Sequence, residues 1–162
     1  MHHLIKDGVA IANDPWQLFT ADDTAGIPPA ALLPASAWAE SGAELAESEL
    51  AFGVYIQAED RLDGILAHLA NIAVVAFHFS KFADGRAFSY ARQLREQFDY
   101  RGEIRATGDF MPDQVAYLER CGFNAFACRS AAEQQTALAI RGSLPMNYQA
   151  DVLENQPLFR RR

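Results

Sequence analysis

The run Ala73-Val74-Val75-Ala76-Phe77-His78-Phe79 is nearly all apolar and has the length of a single β-strand. A run of this kind is typical of a strand in a parallel sheet that is buried on both faces. The residues that follow, from about Arg86 to Phe98, repeat apolar side chains at helical spacing. The two segments therefore predict one strand–helix unit at the centre of the chain.

The same succession of a short strand and an amphipathic helix occurs before and after this unit. The further pairs lie at 52–57 with 60–69, at 103–107 with 112–121, and at 123–128 with 130–140. Gly122 ends the third helix and Ser130 caps the fourth. Four consecutive units with short connections predict an α/β fold, a parallel half-barrel-like sheet with strand order 1-2-3-4.

The first fifty residues lack this pattern. Asp7-Gly8 separates two short apolar runs, which predicts an N-terminal β-hairpin. Between residues 22 and 49 three prolines interrupt any long helix, so we expect an arm that packs over the body and is anchored by Trp16 and Trp38. We expect a single domain over 1–162, with hairpin and arm at 1–50, the βα core at 51–142 and a C-terminal tail at 143–162.

Composition excludes several classes of function. The net charge of −7 opposes the phosphate contacts that nucleic-acid binding requires. No apolar run approaches the roughly 18 residues of a membrane span, and the first residues lack the apolar core of a signal peptide. We therefore expect a cytoplasmic protein that binds neither nucleic acid nor membrane. Cys121 and Cys128 are spaced for neither a redox pair nor a zinc site, so we expect reduced, buried thiols.

Familiar cofactor motifs are missing from the sequence. No strand is followed by the glycine-rich fingerprint of dinucleotide-binding proteins, and there is no phosphate-binding P-loop. The four histidines show no metal-ligand spacing, and we interpret His78 as a satisfied core histidine rather than a catalytic base. We expect no cofactor and no metal site, and a colourless purified protein.

Alternation along the strands predicts that one face of the sheet is partly polar. Ile104 and Ala106 share one face, which places Glu103, Arg105 and Thr107 on the other. A partly polar face is compatible with a ligand site, an interface, or a surface beneath an ordered arm. By the same alternation, Tyr55 and Gln57 share one face of their strand, and Asn124, Phe126 and Cys128 share one face of theirs.

A set of spaced motifs carries a family resemblance. They are Asp84-Gly85-Arg86, Ser89, Ala91-Arg92, Leu94-Arg95, Gly102-Glu103, Arg105-Ala106, Gly108-Asp109, Asp113-Gln114, Arg120-Cys121-Gly122-Phe123, Phe126 and Tyr148-Gln149. This pattern resembles a small bacterial family that is encoded beside the sulfite reductase haemoprotein and is described as an oxidoreductase involved in sulfite reduction.

The resemblance implies a role in assimilatory sulfate or sulfite reduction, but it carries over no catalytic residue. Three functions stay open. The protein is an enzyme or redox accessory of that pathway, an oxyanion-binding module without chemistry, or a docking subunit for the sulfite reductase haemoprotein.

Two connections between strand and helix predict a ligand site. Ligands of parallel α/β proteins bind beyond the carboxyl ends of the strands, where glycines permit close approach and arginines can fork onto a small oxyanion. An alternative interpretation is structural, with the acidic residues as helix caps and Arg92 and Arg95 paired with Glu96 and Asp99. The predicted ligand-binding residues are Lys81, Asp84, Arg86, Arg105, Asp109 and Gln114.

An open half-barrel also leaves edge strands, so we expect a homodimer.

Overall fold

The structure is a computed structural model that describes residues 3–19, 27–81, 85–141, 151–152 and 156. These residues form eight strands and five α-helices. The strands are β1 (His3–Lys6), β2 (Val9–Ile11), β3 (Gln17–Leu18), β4 (Ala31–Pro34), β5 (Phe52–Ile56), β6 (Ile72–Phe79), β7 (Glu103–Gly108) and β8 (Ala125–Cys128). The helices are α1 (Ala35–Glu47), α2 (Asp63–Leu66), α3 (Arg86–Glu96), α4 (Val115–Arg120) and α5 (Ala131–Arg141), with 3-10 turns at Leu69–Asn71 and Pro112–Gln114.

All eight strands belong to one sheet, in the order β2-β1-β8-β7-β6-β5-β4-β3. The four predicted strands, β5 to β8, are parallel neighbours in chain order. The sheet as a whole is mixed, because β1 pairs antiparallel with both β2 and β8. On the other side β4 and β3 continue the parallel part. The prediction of a purely parallel sheet with order 1-2-3-4 is therefore wrong for the complete sheet.

The N-terminal hairpin is confirmed, whereas the predicted arm is partly wrong. Asp7 and Gly8 have φ values of 50° and 82°, as a two-residue hairpin turn requires. Residues 31–34 form β4, and α1 follows at once, so this part of the arm is a further strand–helix unit. All three prolines precede α1, so they interrupt no helix. Trp38 on α1 is fully buried, and its Nε1 donates to the Gly53 carbonyl at 3.1 Å, which confirms it as an anchor.

The connection between β2 and β3 requires the sheet to curl. These two strands are the opposite edges of the sheet, and seven strand spacings in a flat sheet would separate them by about 34 Å. The six steps from Ile11 to Gln17 can span at most about 22 Å. We call residues 12–16 the crossing segment. Because this segment joins the two edges, the sheet forms a half-barrel and the crossing segment spans its open side.

The helices pack on one face of the sheet only. The main core joins helix side chains such as Trp38, Leu94 and Leu118 to one set of strand residues, among them Ile104. The opposite, helix-free face carries a smaller apolar cluster that contains no helix residue in the described part of the chain. Its members are Leu32, Val74, Ala76, Trp16 and Tyr55.

Strand pairing shows which side chains share the helix-free face. Ala76 pairs with both Tyr55 and Arg105, and His78 pairs with Thr107, so the partly polar face is confirmed. The side chains of Phe126 and Cys128 pack in the main core instead, although Cys128 also borders the cavity described below. None of the helices in the described ranges is long and apolar enough to cross a bilayer.

Candidate ligand cavity

A cavity of about 370 Å³ lies on the helix-free face. Its polar wall is formed where β6, β7 and β8 end, which is the edge at which parallel α/β proteins bind ligands. The crossing segment forms the opposite side. The lining residues are Asp14, Trp16, Leu18, Leu32, Tyr55, His78, Arg105, Thr107, Gly108, Asp109, Ala127, Cys128 and Arg129.

Arg105 lies on the cavity wall and is the centre of a buried charge network. Its Nη1 and Nη2 donate to the two carboxylate oxygens of Asp14 at 2.6 and 3.0 Å, and its Nε donates to Glu103 at 2.6 Å. Glu103 also pairs with Lys6 at 2.9 Å. Burial by itself lowers the pKa of Arg105, but the hydrogen bonds and charges of Asp14 and Glu103 outweigh it and raise the pKa above its usual value. Arg105 is therefore a charged side chain with two carboxylate partners.

His78 presents an unsatisfied nitrogen beside Tyr55 and Thr107. Its buried Nδ1 has no hydrogen-bond partner in the described part of the chain. The interpretation of His78 as a satisfied histidine is therefore wrong. The ring centroid lies 5.5 Å from that of Tyr55. Burial raises the pKa of the Tyr55 hydroxyl, and a hydrogen bond with Thr107 lowers it in part, so the group stays protonated at neutral pH.

Gly108 allows the His78 ring to lie where it does. Its φ of 82° is in the left-handed region. A Cβ at this position would lie 2.7 Å from Nδ1 of His78 and 2.5 Å from the carbonyl oxygen of Phe79. Only glycine therefore permits both the backbone turn at the end of β7 and the position of the imidazole.

The remaining wall is apolar and aromatic. Trp16 from the crossing segment packs with Leu32 and Tyr55 in the smaller apolar cluster. The Trp16 backbone N–H donates to Asp14 Oδ1 at 3.3 Å, which links the aromatic wall to the buried charge network. The cavity thus combines an apolar side with a polar side, the arrangement that small-molecule sites commonly show.

The structure brings two of the predicted site residues, Arg105 and Asp109, to this cavity. Asp109 is not a partner of Arg105, however. Its Oδ1 accepts a hydrogen bond from Arg129 at 2.7 Å, and Arg129 pairs in turn with Glu133. The acidic residues at this edge are therefore balanced by arginines.

The other predicted site residues occupy different places. Arg86 begins α3 and lines a separate small pocket with Gln57 and Tyr90. Gln114 accepts a hydrogen bond from the Met111 backbone N–H at 2.9 Å, a capping contact at a 3-10 turn. Lys81 is exposed after β6. Asp84 lies outside the described residues. The structure therefore does not bring Arg86 and Arg105 to the same cavity.

Sequence reasoning missed several lining residues. The sequence predicts Trp16 as an anchor of the arm and gives no role to Asp14, because nothing in the pattern shows that residues 12–16 cross the sheet. Arg129 follows β8 directly. The rule that ligands bind at the carboxyl ends of strands would have selected it, as it selected Asp109.

Part of the family motif is structural. Arg95 Nε donates to the Gly122 carbonyl at 3.0 Å, and Nη1 donates to the carbonyls of Tyr100 and Gly102 at 2.6 and 2.8 Å. The predicted pairing of Arg95 with Asp99 is wrong, because these backbone acceptors hold the guanidinium. The predicted pair Arg92–Glu96 is confirmed, at 2.8 Å.

Comparison with known protein families gives a match over most of the chain. The family model described as a bacterial protein of unknown function, DUF934, matches residues 53–159, more than half of the chain. The matched segment contains His78, Arg105, Asp109 and Arg129, whereas the crossing segment precedes it. No curated protein and no solved structure matches the chain. Within the described ranges, no group of three or more His, Cys, Asp or Glu side chains is placed to hold a metal ion.

Proposed function

Because the chain belongs to the DUF934 family, whose function is unknown, we propose its role from the geometry of the cavity. The protein is an accessory protein of sulfite reduction that binds a small anionic ligand on the helix-free face of its half-barrel. The pathway comes from the family resemblance. The binding role and its location come from the side chains that converge where β6, β7 and β8 end.

The observation that carries the proposal is the unsatisfied Nδ1 of His78. A buried polar atom without a partner costs about 1–3 kcal/mol, so nearly all such atoms in folded proteins have one. The His78 side chain lines the cavity, while its Nδ1 lies against Gly108, so a turn of the imidazole ring would bring this nitrogen to a ligand. A ligand that hydrogen-bonds to the imidazole would offset this cost.

The size and charge of the cavity favour an anion that carries an organic body. A volume of about 370 Å³ lies in the range of sites for small organic molecules. The charged side chains on its wall, two aspartates and two arginines, sum to zero. A bare oxyanion therefore gains little net attraction, whereas an apolar body gains contact with Trp16 and Tyr55. Sulfite and sulfate carry the oxyanion without the organic body, so we expect them to bind in this cavity more weakly than an organic carboxylate or sulfonate.

We also propose that the protein acts in the cytoplasm as a homodimer and that it contacts the sulfite reductase haemoprotein. Both cysteines are free and buried, as a reducing compartment favours. The edge strands β2 and β3 each expose an apolar side chain, Val9 at 63% and Leu18 at 47%. Light scattering at micromolar concentration tests the dimer, and a monomeric mass would contradict it.

Calorimetric titration tests the binding role directly. Sulfite, sulfate and phosphate are titrated into the full-length protein and into His78→Leu. We expect the native protein to bind sulfite or sulfate, and His78→Leu to bind about tenfold more weakly, the equivalent of one lost hydrogen bond. His68→Leu is the matched control, since His68 lies beside Trp38, away from the cavity. Equal affinity in native protein and His78→Leu would contradict the assignment of the site.

Genetics tests the pathway separately. Deletion of the gene should abolish growth on sulfate as the sulfur source and leave growth on cysteine unchanged. A plasmid copy should restore growth on sulfate, and a copy with His78→Leu should not. Normal growth of the deletion strain on sulfate would contradict the role in sulfite reduction.

A further inference from the structure

We propose that the guanidinium of Arg105 is a subsite for the carboxylate or sulfur oxyanion of a ligand, and that the chain's own Asp14 occupies this subsite in the unliganded protein. An anionic ligand then takes the place of Asp14. The inference rests on the proposed function, because it assigns the charged end of the ligand within the same cavity.

The contact between Asp14 and Arg105 has the geometry of anion recognition. Two parallel N–H donors of one guanidinium meet the two oxygens of one carboxylate, at 2.6 and 3.0 Å. Arginine uses this same fork to bind the carboxylates and oxyanions of ligands. The side chains of Asp14 and Arg105 are only 6% and 3% exposed. Arg105 therefore already holds a desolvated oxyanion, which the chain itself supplies.

The two carboxylates on Arg105 are held very differently. Glu103 lies on β7, two residues before Arg105, and it is also paired with Lys6. Asp14 lies in the crossing segment, which has no regular secondary structure and joins two edge strands. The backbone at Asp14 can move without breaking a strand pairing, whereas movement of the backbone at Glu103 would break its pairing with β6, and rotation of the Glu103 side chain would break its ion pair with Lys6. Asp14 is therefore the carboxylate that a ligand can displace.

Exchange of Asp14 for a ligand preserves the charge balance of the network. Lys6 and Arg105 supply two positive charges, and Glu103 and Asp14 supply two negative charges. A ligand with one carboxylate or sulfonate group, each of charge −1, leaves this sum unchanged. The apolar body of such a ligand would lie against Trp16, which adjoins the subsite through its backbone contact with Asp14.

The test removes the internal competitor. Benzoate and benzenesulfonate, which carry the two kinds of oxyanion on the same apolar ring, are titrated by calorimetry into the full-length native protein and into Asp14→Asn. We expect Asp14→Asn to bind at least one probe about tenfold more tightly, and the preferred probe identifies the oxyanion. Asp99→Asn is the control, because it removes an equal charge from an exposed site paired with Arg101. Its affinity should equal that of the native protein.

A second measurement needs no substitution. The Trp16 backbone N–H contacts Asp14, so its amide resonance should move when saturating probe displaces Asp14 from Arg105. An unchanged Trp16 amide in the saturated native protein, or equal affinity in native protein and folded Asp14→Asn, would overturn this inference and leave the proposed function standing. Failure of both proteins to bind any probe, sulfite and sulfate included, would contradict both. If Asp14→Asn does not fold, the Trp16 amide decides.

Discussion

Replacement of His78 by leucine should strengthen the fold while it weakens ligand binding. Leucine fills a similar volume in β6, between Phe77 and Phe79, and removes the buried Nδ1 that lacks a partner. Such an atom costs about 1–3 kcal/mol when buried. Some packing against the Tyr55 ring is lost, so we expect a net gain of about 1 kcal/mol in the free energy of unfolding. Opposite effects on stability and binding are typical of residues retained for function.

Urea unfolding followed by circular dichroism measures this change, with His68→Leu as the matched control. His68 lies beside Trp38 in the main-core region, and its replacement offers no such gain. The decisive comparison is the sign of the change at His78. A loss of 1 kcal/mol or more in His78→Leu would show that the imidazole stabilises the fold, and would refute the argument that its Nδ1 is reserved for a ligand.

Three further predictions concern stability. Arg95→Met should lower the free energy of unfolding by about 3 kcal/mol, because three backbone carbonyls lose a charged donor. Arg92→Met on the same helix should lower it by less than about 1 kcal/mol, because Arg92 has only an exposed ion pair with Glu96. Equal losses in the two variants would contradict this prediction. Gly108→Ala should lower the free energy of unfolding by about 2 kcal/mol or more, because the added Cβ would meet the Phe79 carbonyl oxygen and the His78 ring. Thermal unfolding measures this change, and an unchanged melting temperature would refute the steric argument. Burial raises the pKa of the Cys128 thiol from 9 to about 11. The folded protein therefore keeps a proton that the unfolded chain loses, and the free energy of unfolding should fall by about 1.4 kcal/mol per pH unit between these two values. Cys128→Ala should not show the decrease that this thiol causes.

The parallel part of the sheet could be predicted because its signals are local. The run at 73–79 and the repeated strand–helix pattern lie within short windows, and four strands form as neighbours in the predicted order. The strand at 31–34 is not predicted, because the three prolines before α1 favour an irregular arm in this part of the chain. The antiparallel pairing of β1 with β8 joins residues more than 110 positions apart, which no local pattern encodes.

The candidate site could be predicted only in part for the same reason. Arg105 was selected because a charged residue within a buried strand needs a partner, and the structure supplies Glu103 and Asp14. Asp14 lies 91 positions away in a segment whose path depends on the curl of the whole sheet. A contact of this kind follows from the complete fold, not from spacing.

The most direct test of the account uses the two tryptophan side chains as reporters. Trp16 lines the cavity, whereas Trp38 is buried in the main core with its Nε1 bonded to the Gly53 carbonyl. Their indole N–H resonances are followed by nuclear magnetic resonance as sulfite or benzenesulfonate is added to the full-length protein, and Trp16→Phe assigns the two signals. We expect the Trp16 signal to move in a saturable manner and the Trp38 signal to stay in place. A saturable change at Trp38 with none at Trp16, or no change at either, would contradict a ligand site in this cavity.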